Sequence, residues 1–373
     1  MSRWAWAEVD LGAIEHNVRT LIDVVAPSRL WAVVKADGYG HGAVPVAHAA
    51  LCAGAAGLCV ALAQEGVALR SAGIDAPILV LSEQPHEELV DAVRHGLICT
   101  VYSVDQIDAL ASAAAAAGRD VPVDVHLKVD TGMRRVGAEP DDVDALVASI
   151  ERAAPRLRLT GMFTHLPVAD EPDDPFTAAQ LLRFSELLAR LRATGRDVSS
   201  VHVANSAGAV AHPLARHSFV RAGIAIYGIS PGPGVDHLVA SLRPAMSLRA
   251  RVSHVKRVRA GERISYGLRH TFAADTHVAT LPIGYADGVP RRLSSVGGTV
   301  LLHGSRHPIV GVVTMDQLMV DVGGTPVVIG DEAVLIGAQG RASITAAEWA
   351  ERLGTIGYEI VCGISQRIER RYV

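Results

Sequence analysis

Val33-Val34-Lys35-Ala36-Asp37-Gly38-Tyr39-Gly40-His41-Gly42 reads as a β-strand that ends on a lysine and runs into a glycine-rich turn carrying one tyrosine. Outward from it the same alternation recurs. Apolar, β-rich runs at residues 30–35, 57–62, 77–81, 97–102, 123–129, 157–163, 201–203 and 220–227 are separated by helical patterns. Most runs are apolar on consecutive positions, the pattern of parallel strands covered on both faces. Among the helical stretches, 103–117 and 176–194 are the clearest. The second carries Phe184, Leu187, Leu188 and Leu191 on one stripe, starts after Asp174-Pro175 and stops at Gly195. Eight strand–helix units in this length predict an α/β fold, a (β/α)8 TIM barrel. An open doubly wound sheet is the alternative, but no G-x-G-x-x-G follows the first run.

Ser230-Pro231-Gly232-Pro233-Gly234 is a breaker-rich linker that marks a boundary, with a barrel domain over 1–233 and a second domain over 234–373. Beyond it helical patterns nearly vanish. Strand-like segments at 278–283, 299–303, 309–313, 317–322, 332–336 and 359–367 predict a smaller, mostly β carboxy-terminal domain. One helix is expected over 345–353, where Thr345 and Glu348 have capping-box spacing. Residues 4–9 alternate too, so the first ten residues can pair with this domain.

A chain of 373 residues exceeds the usual size of one core. With 49% hydrophobic and 20% charged residues it has an ordinary globular composition. The net charge of −4 and the lack of a basic half argue against nucleic acid as a partner. Arg249, Arg251, Lys256, Arg257 and Arg259 read as the solvated face of a strand. The four cysteines, Cys52, Cys59, Cys99 and Cys362, form no C-x-x-C pair and have no metal-ligand spacing with histidine. They read as small buried thiols in a reducing compartment. The amino-terminal residues lack the apolar run of a signal peptide, and no stretch suits a membrane span. A cytoplasmic protein is expected.

A barrel gathers its reactive groups where strands end and loops begin. Lys35 ends the first run, Asp130-Thr131-Gly132-Met133-Arg134-Arg135 follows the fifth, His165 the sixth and Asn205-Ser206 the seventh, while Arg221-Ala222-Gly223-Ile224 belongs to the eighth. Each has an ordinary reading alone: a structural histidine, a helix cap, a paired arginine. Together they put polar groups on one rim. A lysine at the end of a buried strand is a natural Schiff-base amine, because desolvation favours its neutral form. A glycine-rich turn lets backbone approach a phosphate. The pair suggests a pyridoxal 5'-phosphate (PLP) site.

The chain resembles the bacterial alanine racemases, fold-type III PLP enzymes, over nearly its full length. The motifs that carry the resemblance are residues 33–42, Lys128-Val129-Asp130-Thr131-Gly132-Met133, Phe163-Thr164-His165, Ala204-Asn205-Ser206-Ala207, Arg221 to Gly228, Ile264-Ser265-Tyr266-Gly267, Gly284-Tyr285-Ala286-Asp287-Gly288, Met315-Asp316-Gln317, and Tyr358-Glu359-Ile360 running into Cys362. The resemblance implies racemisation of L- and D-alanine for peptidoglycan, by a homodimer with shared sites. It implies Lys35 as the PLP lysine and base on one face, and Tyr266 from the partner as base on the other. It further implies a hydrogen-bonded chain Tyr266, His165, Arg221, with Arg221 facing the pyridine nitrogen. Tyr39, Asn205, Ser206, Tyr358 and the amides of Gly223 and Ile224 would complete the cofactor contacts. Arg135 and Met315 would hold the substrate carboxylate, with Asp316 and Tyr285 beside them. Lys128 matches a lysine that is often carbamylated in related enzymes; an ordinary salt bridge is its other reading.

The chain departs from the family pattern in places. Arg134 stands where a small residue is common, so Arg134 and Arg135 compete for the carboxylate role, with spacing favouring Arg135. Thr314 replaces a frequent cysteine, Ala222 and Gly357 occur where proline is often seen, and His165-Leu166-Pro167 is unusual. The rival readings are a racemase of broader range (serine or lysine), a fold-type III decarboxylase, a non-catalytic PLP-binding protein, and a metal hydrolase using Lys128, His165 and His202. Arg221 argues against the decarboxylase, since its relatives place an acid there. The complete β domain argues against the carrier, and the lack of a close histidine pair against the hydrolase.

Overall fold

A computed structural model describes residues 4–118 and 120–373, and the chain forms two compact units. Residues 1–3, the start of the stretch expected to pair with the β domain, lie outside the described residues.

The first unit comprises Ile14–Gly38 and Ala43–Arg243. Its eight strands are Arg29–Val33, Gly57–Val60, Ile78–Val80, Cys99–Val101, Val123–Lys128, Leu157–Phe163, Ser200–His202 and Phe219–Ala222. All paired neighbours run parallel, in two groups of four. A parallel bridge between Leu79 and Ile98 joins the groups on one side. On the other, Ser218 N donates to Val201 O (2.9 Å) and Arg221 N to Ala204 O (3.0 Å), which closes the barrel. Gly57–Val60 and Phe219–Ala222 are buried at every residue, as strands covered on both sides must be.

Helix signals read from the sequence are realised locally. Ser103 Oγ accepts from Gln106 N at the start of helix Val104–Ala117. Asp174 caps Phe176 N ahead of helix Pro175–Ala193, whose Phe184, Leu187, Leu188 and Leu191 are buried. The eighth run, expected as a strand over 220–227, ends earlier. Gly223 (φ −103°, ψ −104°) breaks the strand after Ala222, and Ile224–Tyr227 forms a 3-10 turn. Tyr227 Oη donates to Val33 O (2.9 Å), anchoring that turn inside the barrel unit.

The second unit contains the described residues up to Ala13, Tyr39–Gly42 and Pro244–Val373. Strand Ala5–Val9 pairs antiparallel with Met246–Arg251 and parallel with Glu369–Tyr372. The sheet continues through Glu332–Gln339, Thr299–Leu302, Ser305–Val310, Leu318–Gly323, Thr276–Leu281 and His254–Val258. Val258, Phe272, Val278 and Val310 form one buried cluster under it, with Ile264 and Met319 packed alongside. Helix Ala346–Leu353 buries Trp349 and is capped by Thr345, whose side chain accepts from Glu348 N.

Several expectations for this unit are corrected. The strand expected over 359–367 is instead helix Gly357–Cys362 followed by a turn. A short run such as Ile360-Val361-Cys362 has no periodicity to separate strand from buried helix. Arg249 does not face solvent: it lies between Glu8 (3.2 Å) and Glu332 (2.5 Å). Cys52 and Cys362 are exposed rather than buried, each being the last residue of its helix. Among the described residues, no helix is long and apolar enough to cross a membrane.

Candidate active site

Strand Arg29–Val33 stops two residues before Lys35, so the lysine lies in the turn rather than on the strand itself. Ala36, Asp37, Gly38 and Tyr39 all have left-handed backbone (φ +53°, +51°, +61° and +52°). Such a conformation costs a non-glycine residue roughly 1–2 kcal/mol, so something must hold it. Gly38 N donates to Val34 O (2.9 Å), and Ala43 N donates to Asp37 Oδ1 (2.8 Å). Glu65 Oε1 accepts from Ala36 N (2.6 Å), while its Oε2 accepts from Ala61 N (2.8 Å) and Leu62 N (3.1 Å). The carboxylate of Glu65 thus ties together the loops after the first and second strands. Sequence reading missed it; its place at the third position of helix Ala63–Ser71 was the available signal.

Lys128 ends the fifth strand, largely buried. Its ammonium reaches Leu81 O (3.4 Å) and lies 5.4 Å from the centre of the Phe163 ring. Burial, then the charges of Arg221, Arg135 and Lys35, push its pKa down to about 8 against a weak opposing pull from Asp130. Among the described residues it forms no salt bridge, which removes the ordinary reading of that lysine. Arg134 is engaged elsewhere. Its Nη1 donates to Glu139 Oε1 (2.6 Å) and Oε2 (2.9 Å), whereas Arg135 forms no ion pair among the described residues.

Arg221 is almost fully buried on the eighth strand. It donates from Nη1 to His202 Nδ1 (2.8 Å) and His202 O (3.1 Å). From Nη2 it donates to Thr164 O (2.9 Å), Val203 O (3.0 Å) and His165 Nδ1 (3.2 Å). Burial lowers its pKa only to about 10, so it is a cation at neutral pH. Having Arg221 between them, the Nδ1 atoms of His165 and His202 cannot both ligate a metal. His165 is held neutral, well below the usual histidine range, by burial and then by the charges of Arg221, Lys128, Arg135 and Lys35. Beside them, Asn205 caps helix Ser206–Ala211 by accepting from Gly208 N (2.9 Å) and donates to Leu166 O (3.0 Å). Ser206 Oγ accepts from Gly223 N (2.9 Å) and Ala225 N (3.3 Å), fixing the backbone on both sides of Ile224.

Buried neutral histidines make stability depend on acid. His126, beside His202, is held down to about 3 by burial and then Arg221, against about 6.5 in an unfolded chain. Between these values the unfolded chain binds a proton that the folded chain does not, so stability falls as pH drops through that window. Each such histidine contributes up to about 1.4 kcal/mol per pH unit. Calorimetry should show Tm falling steadily from about pH 7 to about pH 4; a flat profile would contradict the buried neutral assignment.

The β unit presents its own expected site residues. The rings of Tyr39 and Tyr358 lie 6.1 Å apart. Tyr266, Tyr285, Met315 and Asp316 line one concavity, with Arg291 and Val313. Three of these are strongly exposed for their type: Tyr266 75%, Met315 53% and Tyr285 42%. Gly284 has no room for a Cβ against the carbonyls of Thr314 and Met315, and Tyr285 N donates to Thr314 O (2.9 Å). That close approach sets Tyr285 beside the Met315 loop. Asp316 is paired with Arg367 (2.7 Å), so within the chain it steadies this loop.

The donor set of the barrel rim fits PLP. Lys35, Lys128, Arg135 and Arg221 converge on His165, none with a carboxylate ion pair among the described residues. Such a cluster calls for an anionic group.

Residues 9–231 match the family described as "Alanine racemase, N-terminal domain", and residues 245–372 match "Alanine racemase, C-terminal domain". An alanine racemase of Symbiobacterium thermophilum is 49% identical, over 99% of this chain and 97% of its own length. Among solved structures, the alanine racemase of a D-cycloserine-producing Streptomyces lavendulae is 40% identical with a TM-score of 0.93, covering 100% of this chain and 98% of that one. A histidine racemase from Leuconostoc mesenteroides subsp. sake is 28% identical with a TM-score of 0.90, over 100% of this chain and 98% of its own.

Proposed function

The chain belongs to the alanine racemase family, and from that premise we propose how its own residues divide the work. It is a PLP-dependent alanine racemase acting by two bases. When bound, PLP supplies the electron sink that makes the Cα proton of an amino acid removable. The protein must then remove a proton on one face and return one on the other.

Lys35 would carry the cofactor and move the proton on one face, with Tyr266 Oη serving the opposite face. The observation that carries this reading is the buried Arg221 donating to His165 Nδ1 (3.2 Å), with the charges of Lys35, Lys128 and Arg135 also acting on that ring. Arg221 can only donate, so His165 Nδ1 must accept, and the proton of that neutral ring is on Nε2. His165 is therefore a donor toward whatever phenol oxygen reaches it, which supports the chain Tyr266, His165, Arg221. Arg221 would face the ring nitrogen. Tyr39, Tyr358, Ser206, Asn205 and the amides of Gly223 and Ile224 would hold and frame the phosphate. Arg135 and the N–H of Met315 would orient the substrate carboxylate, with Tyr285 and Asp316 shaping the entrance.

Tyr266 would come from a second copy in a homodimer with shared sites. The exposure of Tyr266, Tyr285 and Met315 in one concavity supports this, because clustered exposed apolar groups mark an interaction surface. The domain division expected at 233/234, ten residues before the unit boundary at Arg243, and a cytoplasmic location belong to the same proposal.

Lys128 would be carbamylated. At a pKa of about 8 an appreciable fraction of the amine is neutral near neutral pH, and only the neutral amine adds carbon dioxide. The amine lone pair would bond the carbon of carbon dioxide and one N–H proton would pass to solvent, leaving an anion able to orient Arg135. Intact mass in bicarbonate buffer should rise by one carbon dioxide, and Lys128→Met should abolish the gain; an unchanged wild-type mass would refute the modification.

The function is tested by incubating the holoenzyme with either alanine enantiomer in deuterium oxide. Deuterium should appear at Cα together with inversion. Exchange without inversion, or release of carbon dioxide, would exclude the two-base racemase. The similarity to a histidine racemase supports a second reading, a substrate range broader than alanine. A chiral assay across a panel of amino acids separates the two.

A further inference from the structure

The barrel core holds a file of polar side chains of which the reaction, as assigned above, uses only the outer end. His126 Nδ1 lies 2.9 Å from His202 Nε2, His202 Nδ1 lies 2.8 Å from Arg221 Nη1, and Arg221 Nη2 lies 3.2 Å from His165 Nδ1. His126, His202 and Arg221 belong to three different strands and are buried. The His202 ring is stacked between Phe163 (4.5 Å) and Phe219 (4.2 Å), and Phe219 is stacked in turn on Trp31 (4.4 Å). Gly161 leaves no space for a Cβ beside the His126 ring, so that ring is held in its plane by backbone.

The directions of these hydrogen bonds are forced. A guanidinium has donors and no acceptor. His202 Nδ1 must therefore accept, and a doubly protonated His202 would set an N–H against a cation. The single proton of neutral His202 is on Nε2, aimed at His126 Nδ1. His126 must accept there, which leaves its own proton on Nε2. Burial and the charge of Arg221 keep both rings neutral. One obligate donor thus fixes two successive tautomers.

Resting on the assignment of Arg221 to the cofactor ring nitrogen, we propose that His126 is a positioning residue that holds the Arg221 guanidinium through His202. Among the described residues every acceptor around Arg221 is neutral: two imidazole nitrogens and the carbonyls of Thr164, His202 and Val203. A carboxylate would orient the guanidinium equally well but would cancel its charge. Imidazole acceptors orient it and leave the charge uncompensated. His202 can serve as that acceptor only while its proton has a partner on the far side, and His126 Nδ1 is the partner. Without it, the buried Nε2–H favours ring states that withdraw Nδ1 from Arg221.

Ring-15N NMR of the full-length, histidine-labelled protein reads the tautomers directly, with and without PLP. Both His202 and His126 should be neutral and protonated at Nε2. His126→Leu removes the acceptor at similar volume. It should abolish the slowly exchanging Nε2–H signal of His202 and lower kcat by about ten- to a hundredfold, the scale for outer partners of a reactive group, with KM changed less than about threefold. His126→Asn, whose Oδ1 can replace Nδ1, should restore most of both. Protonation of His202 at Nδ1, or normal kcat in His126→Leu, would overturn the proposal. Should His126→Leu not fold, the wild-type tautomer and His126→Asn still decide. If the wild-type protein racemised no amino acid, the functional reading would fall while the tautomers stood.

Discussion

Tyr266→Phe should slow proton exchange from one alanine enantiomer by about a hundred- to ten-thousandfold, the usual loss when a general base is removed. Exchange from the other enantiomer should persist, because Lys35 still serves its own face. Overall racemisation then fails in both directions, since each direction needs both bases. The change deletes one oxygen from a side chain that is 75% exposed within its chain, and the Ser265 anchor of that turn, Oγ to Val312 O (3.1 Å), is untouched. Tm and cofactor loading should therefore match wild type. Following deuterium uptake separately from L- and D-alanine checks it. Near-normal exchange from both enantiomers would remove Tyr266 from its role.

Lys35→Ala should reduce racemisation by at least about a thousandfold, as loss of a covalent catalytic group generally does. Here the asymmetry disappears, because the same side chain holds the cofactor and moves a proton. Borohydride should no longer fix PLP to the chain, and a small added amine should recover part of the exchange. The left-handed turn after Lys35 is held by contacts from the Ala36 and Gly38 amides and the Asp37 carboxylate, none involving the lysine side chain. A folded, inactive variant is thus expected, with circular dichroism as the check on folding. Retained activity after removal of the amine would place the PLP attachment elsewhere.

Much of the barrel was legible because parallel strands covered on both faces are apolar on consecutive positions, and runs such as 30–34 and 78–81 are. Legibility failed where burial gave no period. Ile224–Tyr227 is as apolar as the strand before it, and only the backbone at Gly223 ends the strand. Met246–Arg251 and His254–Val258 were read from their basic residues as one solvated strand face, whereas they are two strands and Arg249 is paired with Glu8 and Glu332. In the site, Lys35, His165 and Arg221 could be read from strand ends. The competition between Arg134 and Arg135 could not, because the pairing of Arg134 with Glu139, which favours Arg135, is a side-chain contact that no spacing marks. Glu65 and His126 were missed for a related reason. The contact of Glu65 with the Ala36 amide and that of His126 with His202 join residues distant in sequence; a helix-start position hinted at Glu65, and no local pattern marked His126. The role of Tyr266 came from family resemblance alone.

The pairing of an amine from one chain with a phenol from another is tested most directly by mixing the two inactive variants. Lys35→Ala and Tyr266→Phe subunits, each inert alone, are co-refolded in equal amounts. If each site takes its tyrosine from the second subunit, a mixed dimer regains one complete site of its two, and random pairing should return about a quarter of wild-type activity. No recovery from a mixture shown to contain mixed dimers would mean that both groups act within one chain, and the shared-site dimer would be wrong.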